Sequence, residues 1–575
     1  MATIIYSVEM PFPANHVFTV KMEVKGIADE QLVVELPVWT PGSYLVREYA
    51  KNINAFKASD IAGNSLPFQK SSKNTWLIYS GGADVIIQYE IYAYEESVRT
   101  NWLDATHASI IPAAFFMWVN GYSGGAEIHI TPHSSFKKIA TALPNADNNN
   151  WQLFASSKDE LYDSPIEIGN HSSTDFLAEG VIHTLAIYGE GNHDEKIIIA
   201  DLIKIIQTEV AIFGQHPCKK YLFILLNSNT QRGGLEHLHS TSLIFKKFGY
   251  ADHNSYLEFI SLCAHEYFHL WNVKRLRPAA LGPFNYGEEN YTTGLWVAEG
   301  FTSYYDDLIV YRAAIYKQEE YLAIVEKNIN EAENAPGKNI QSVAEASFDA
   351  WIKYYRQNEN SNNSQVNYYV RGGVLALLLD IIIISNSNGE NCLDDVMREA
   401  YNTFYVQQNR GFTEEELKSI IEKYAKTNLD DFYRDHVFGT TQINYQPYFE
   451  KLGLQLIDKN AGSLDKEFGL TINDKNIITS VRKNSSGELA GLNVNDEIIA
   501  INEFRYTPGF INIITNNSVE YDTFWFLVNH NGIVKTFIPS LAITDKVNYK
   551  LEALPNPTPS QQLCYKKWLQ QHINP

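Results

Sequence analysis

His265, Glu266 and His269 stand in the run Ala264-His265-Glu266-Tyr267-Phe268-His269-Leu270-Trp271, the spacing H-E-x-x-H. Residues four apart share one face of a helix, so two imidazoles can grip one Zn²⁺ while the glutamate between them leans toward a water on the metal. That is the chemistry of a metal-activated hydroxide. The same residues admit a plainer account: two partly buried histidines bonded to backbone on an amphipathic helix, with Glu266 a solvated charge. Companions elsewhere in the chain must decide between them.

A catalytic zinc site normally takes three protein ligands and keeps a fourth position for water. Downstream, the helix-like run Leu295-Trp296-Val297-Ala298-Glu299-Gly300-Phe301-Thr302-Ser303-Tyr304-Tyr305-Asp306 offers Glu299 as an oxygen ligand, completing a His₂Glu set. A helix-start glutamate favoured by the macrodipole is the plainer account of that residue. Asp306, two turns further along the same face, is placed to orient a ligand imidazole from behind.

These residues need elements to hold them. From residue 4 to about 165, short β-rich runs such as Val17-Phe18-Thr19-Val20-Lys21-Met22-Glu23-Val24 alternate with turn clusters, which predicts antiparallel sheets. Residues 166–232 add strands and one amphipathic helix near 195–213, and helical periodicity dominates from 254 to about 438. Short strands return at the end. The expected architecture is multidomain α+β: an N-terminal antiparallel, β-sandwich-like domain at 1–165, a mixed β and helical domain at 166–445, a strand-rich domain at 446–555, and a tail at 556–575.

At 575 residues the chain exceeds what one hydrophobic core usually serves, and 45% hydrophobic with 13% aromatic residues suits a folded, β-rich and helical enzyme. A formal net charge of -21 disfavours nucleic acid and anionic membranes as partners. Cys218, Cys263, Cys392 and Cys564 are too scattered for a structural zinc site or a disulfide framework. The start has no basic leader followed by an apolar stretch, so a cytoplasmic setting is expected. The greasy segment 374–384 is interrupted by Asp380 and reads as a buried core helix, too short for a membrane span.

Several segments resemble known families. Ala490-Gly491-Leu492-Asn493-Val494-Asn495-Asp496-Glu497-Ile498-Ile499-Ala500-Ile501-Asn502 resembles the A-G-L-x-x-G-D-x-I-x-x-I-N stretch of PDZ domains, with Asn495 in place of glycine. Phe468-Gly469-Leu470 sits where such domains receive a peptide carboxylate; an ordinary β-turn without a ligand is the alternative. The pairing of H-E-x-x-H with W-x-x-E-G-F resembles the gluzincin metallopeptidases, whose catalytic domain is thermolysin-like and which include aminopeptidase N. Gly233-Gly234-Leu235-Glu236-His237 is similar to the G-A-M-E-N motif of aminopeptidase N. Two glycines on an exposed strand edge let a substrate backbone approach, and Glu236 can pair with a free α-ammonium. Asn367-Tyr368-Tyr369-Val370-Arg371-Gly372-Gly373 resembles Y-x-K-G, which implies that Tyr369 donates to a developing oxyanion, with Tyr368 the nearby competitor.

Together with Leu36-Pro37-Val38-Trp39-Thr40-Pro41-Gly42-Ser43-Tyr44, the continuation of the signature helix through Trp271-Asn272-Val273-Lys274-Arg275-Leu276-Arg277-Pro278, and Phe348-Asp349-Ala350-Trp351, these features look like the glycyl aminopeptidase family over nearly the whole chain. Two departures from aminopeptidase N stand out. His237 replaces Asn, and the gap from His269 to Glu299 is longer, leaving room for an inserted loop around 277–289.

The resemblance implies zinc on His265, His269 and Glu299, Glu266 as general base, Gly233, Gly234 and Glu236 binding the substrate, and release of small N-terminal residues such as Gly or Ala. The expected partners are peptides with a free N-terminus and, in the PDZ-like groove, a C-terminal peptide. Two rivals are a zinc endopeptidase, for which Glu236 is incidental, and a peptide-binding scaffold with a vestigial metal site. Lys274, Arg275 and Arg277 either meet a short substrate's carboxylate or pack the helix end.

Overall fold

The computed structural model describes residues 2–147, 149–462 and 466–570; the last five residues of the expected tail lie outside this range. The N-terminal part carries a seven-stranded sheet and two four-stranded sheets. Strict alternation turns Ile4, Tyr6 and Val8 of strand Thr3–Glu9 inward, where they share one core with Leu32, Val34, Trp76 and Ile78 of the neighbouring sheet. The expectation of purely antiparallel pairing needs one correction. Thr3–Glu9 pairs in parallel with Ala126–Thr131, because the two come from opposite ends of this region and not from a hairpin. Strand Ile166–Gly169 pairs with Ala108–Ile110 and with Lys138–Thr141, and buries Ile166 and Ile168 in the N-terminal core.

A five-stranded mixed sheet follows, in the order Ser172–Ala178, Val181–Tyr188, Lys220–Ser228, Ser240–Lys246, Gly233–Glu236. Its three central strands are parallel and both edge strands antiparallel. The helix Glu195–Phe213 starts at Asp194, whose side chain accepts from the amides of Lys196 and Ile197, and ends at Gly214 in the left-handed region. The helix His253–Phe268 is capped in the same way by Asp252.

Helix Tyr368–Asn386 is the one described helix long and apolar enough to cross a membrane, yet 78% of its apolar window is buried inside the protein. Asp380 is buried with it, accepting from the Tyr304 hydroxyl and the Leu393 amide.

Near the C-terminus a separate small core forms around Phe468, Ile478, Ile498, Phe526 and Val528. The expected tail at 556–575 is in part a helix, Pro559–Trp568, with Thr558 capping it. The fully buried Trp568 and the buried Cys564 tie it to the helical core, and the Arg312 guanidinium donates to the Trp568 carbonyl. An indole of that size is left exposed only at a large cost in apolar surface, which is why the segment docks.

Candidate active site

His265 and His269 project from the end of helix His253–Phe268, and Glu299 comes from the π-helical turn Trp296–Phe301 that leads into helix Thr302–Arg312. Their inward atoms form a triangle. The two Nε2 atoms are 3.1 Å apart, and Glu299 Oε2 lies 3.5 Å from His265 Nε2 and 3.3 Å from His269 Nε2. Ligands about 2.0–2.1 Å from a tetrahedral zinc are separated by roughly 3.3 Å, so these three donors fit one such ion with a fourth position to spare.

The outer nitrogens are already committed. His265 Nδ1 lies 2.9 Å from Asp306 Oδ2, and His269 Nδ1 lies 2.6 Å from the Asn272 carbonyl. Donating outward fixes each tautomer and leaves the Nε2 lone pairs facing inward. Burial pushes the His265 pKa down, but hydrogen bonds to Asp306 and Glu299 outweigh it and raise it well above the usual range. The same carboxylates make the ring a strong base toward a divalent metal, which competes with the proton. A second donor set, Glu236, Glu266 and His269, also gathers within 4.8 Å.

Helix His253–Phe268 does not continue through 271–278 as expected; it stops at His269. The Asn272 amide donates to the Val297 and Ala298 carbonyls at 3.1 and 3.2 Å and to the Thr302 hydroxyl at 3.1 Å, pulling the chain out of the helix. Those bonds also bridge the long gap to Glu299. The intervening loop docks on the N-terminal part: the Val38 amide and the Trp39 indole donate to the Tyr286 and Asn285 carbonyls.

Glu266 leans from the helix toward strand Gly233–Glu236, and a Cβ on Gly234 would collide with its carboxylate. Burial pushes its carboxyl up to about 7 against the pull of both histidines. Oε2 of Glu266 and Oε1 of Glu236 are buried without a hydrogen-bond partner among the described residues.

The strand edge lines this cleft and is partly roofed, with Gly234 and Glu236 buried. Gly42, at φ +86°, presses its Cα side against the Glu236 carboxylate, where a Cβ would overlap it, and the Arg99 guanidinium donates to the Gly234 carbonyl at 2.8 Å. Gly42 therefore answers both a left-handed backbone and a lack of space.

Tyr369 lines the same cavity of about 240 Å³ with Glu236, Glu266, the two histidines and Glu299. Its ring centroid is 6.2 Å from that of His265, and its hydroxyl is 3.2 Å from the Tyr355 hydroxyl. Tyr368 does not line the cavity and is fully buried against Tyr354. Burial, then the nearby Glu299 charge, raises the Tyr369 phenol well above its ordinary value, which keeps it a neutral donor.

His237 and Lys274 turn out to share one partner. Asp163 accepts from His237 Nδ1 at 3.0 Å, the Leu238 amide at 2.7 Å and Lys274 Nζ at 2.7 Å, clamping the end of the edge strand. Arg275 donates to the Leu270 and Leu238 carbonyls, and Arg277 lies 4.8 Å over the Phe284 ring. Of the two roles open to these basic residues, packing is the one they fill here. Arg99, Tyr355 and the contact of Gly42 with Glu236 are the features sequence reasoning missed. Only Gly42 had a signal, in the Trp39-Thr40-Pro41-Gly42 turn.

Two histidines and a glutamate converging beside a second, buried glutamate define a metallopeptidase. More particularly, the chain carries two M61 peptidase domains and is a peptide hydrolase: residues 5–170 match the Peptidase M61 N-terminal domain, and residues 258–375 match M61 glycyl aminopeptidase. An aminopeptidase N family protein from Idiomarina loihiensis has a similar crystal structure, with a TM-score of 0.92 and 29% identity over 99% of this chain and 100% of that one. A two-domain M1 zinc metallopeptidase variant bound to L-arginine has a likeness of fold alone, with a TM-score of 0.50 and 12% identity over 77% of this chain and 94% of that one. No curated protein matches the sequence.

Proposed function

We propose that this chain is a zinc-dependent aminopeptidase releasing small residues, Gly or Ala, from the free N-terminus of peptides. The observation that carries this reading is Glu236. Its carboxylate is buried within 4.8 Å of Glu266 and His269, and one of its oxygens has no partner among the described residues. A substrate ammonium satisfies that oxygen and stops the peptide in register with the histidine pair. The Gly42 turn lies directly against the carboxylate, which leaves little depth for a first side chain.

His265, His269 and Glu299 would hold the zinc, which when bound supplies a Lewis acid and lowers the pKa of water. Glu266 takes the proton from the attacking water and returns it to the leaving amine, a role that suits a carboxyl raised to about 7. Tyr369 donates its hydroxyl hydrogen to the oxygen of the tetrahedral intermediate.

We further read 446–555 as a PDZ-type module that takes a C-terminal peptide. In support, strand Leu470–Ile472 follows the Phe468-Gly469 turn and pairs with Ile478–Val481 alone among the described residues, leaving an edge for a guest strand. A reducing compartment, the cytoplasm, suits four buried, free cysteines.

The test compares an alanine anilide bearing a free amine with its N-acetylated form. The free amine is cleaved and the acetylated form is not; equal cleavage identifies an endopeptidase, and failure to bind about one equivalent of zinc returns the scaffold reading.

A further inference from the structure

Two arginines line this cleft and a third lies near one of them, although the chain is acidic overall, with a formal net charge of -21. Arg99 and Arg232 line the cavity itself. Arg47 lies close enough to Arg99 for the two charges to repel, and its guanidinium is held on the Ser43 hydroxyl. None of the three forms a close salt bridge among the described residues; Arg99 and Arg232 act only at longer range, on the Glu266 and Asp306 carboxylates. Arg99 Nε is buried with no partner, while its Nη2 is fixed on the Gly234 carbonyl. Arg99 is partly buried and Arg232 exposed, so both can offer guanidinium donors to an anion that enters the cleft.

Their placement along the edge strand says where that anion sits. The proposed amine anchor is Glu236, and the strand runs back from it through Gly234 to Gly233, with Arg232 one residue before. An extended chain rises about 3.3 Å per residue, so Gly234 lies roughly 7 Å and Arg232 roughly 13 Å from Glu236 along the strand. An extended dipeptide or tripeptide laid beside it spans roughly 7–10 Å from its amine to its carboxylate. The far end of such a peptide therefore falls between the two guanidiniums.

Building on the aminopeptidase reading, we infer that Arg99 and Arg232, with Arg47 behind them, bind the terminal α-carboxylate of di- and tripeptides, so that the enzyme is specialised for short peptides held at both ends. Glu236 takes the ammonium, the arginines take the carboxylate, and the bond after the first residue is left at the histidine pair. Planar guanidiniums suit a carboxylate because they donate two parallel hydrogen bonds.

The experiment measures kcat/KM of the zinc-loaded full chain for Ala-Ala-Ala as the free acid, as its C-terminal amide, and for the pentapeptide Ala-Ala-Ala-Ala-Ala as the free acid. The tripeptide acid is expected to exceed its amide by roughly tenfold or more, the size of a charge-assisted hydrogen bond lost. It is also expected to exceed the pentapeptide. Arg232→Ala, at an exposed position, and Arg99→Gln each lower the acid-to-amide ratio, mainly through KM. Equal cleavage of acid and amide by the unaltered protein, or a ratio unchanged in both variants, overturns the inference and leaves the aminopeptidase intact. Absence of cleavage of all three peptides overturns both.

Discussion

Gly300 and Gly372 meet backbone to backbone: a Cβ on either would collide with the Cα of the other. The contact presses the turn Trp296–Phe301 onto helix Tyr368–Asn386. It fixes Glu299, one residue before Gly300, relative to Tyr369, one turn before Gly372. The spacing between Glu299, the proposed ligand, and Tyr369, the proposed oxyanion donor, is set at this crossing of two close-packed elements.

Gly372→Ala should therefore force the two elements apart. We expect a loss of about 1–3 kcal/mol, typical of overpacking, read by chemical denaturation. Turnover should fall further than zinc content, because the ligand and the phenol move relative to each other.

Glu266→Gln should bind zinc as the unaltered chain does and lose about 10²–10⁴-fold in kcat, since the amide keeps the shape but cannot take the proton. Zinc stoichiometry and steady-state kinetics on the same preparation check this together.

Tyr369→Phe should lower kcat by roughly 10²-fold or more, the effect of losing one oxyanion donor. Tyr368→Phe should leave kcat much closer to normal, because that hydroxyl is buried behind the cavity. A severe Tyr368 variant beside a silent Tyr369 variant would reverse the assignment.

Asp306→Asn should weaken zinc binding by roughly 10–100-fold, measured by competition with a chelator, while the fold melts near its normal temperature. The 2.9 Å contact to His265 Nδ1 holds the ring, and an amide can present its nitrogen there and lose the interaction.

Asp163 carries a pH prediction. Burial alone would raise its carboxyl, but Lys274 and His237 outweigh it and hold it well below the usual range. A carboxyl depressed in the folded state stabilises that state above its unfolded value, about 3.9, and this stability is lost as pH falls. Melting temperature should therefore drop below about pH 4. Asp163→Asn should cost about 3–5 kcal/mol near neutrality by stranding the buried Lys274 charge, and should show a shallower acid slope.

The sequence by itself determined the donor set. Helical spacing aligns His265 with His269, and the second motif supplies Glu299, because one face of one element is fixed by local geometry. It also determined the β-rich start and the helix at Glu195–Phe213, from periodicity within a few residues, while the glycine-bearing strand with Glu236 was legible through its likeness to a known motif.

What only the tertiary structure decided is which elements meet. Tyr369 faces the cavity and Tyr368 the core because the glycine contact sets the rotation of their helix. The signature helix stops at His269 because Asn272 finds partners some 25 to 30 residues away. Gly42 and Arg99 reach the site from the N-terminal part, and Pro559–Trp568 closes the core from the other end. Such contacts follow from burying distant faces against each other, and no local spacing along the chain encodes them.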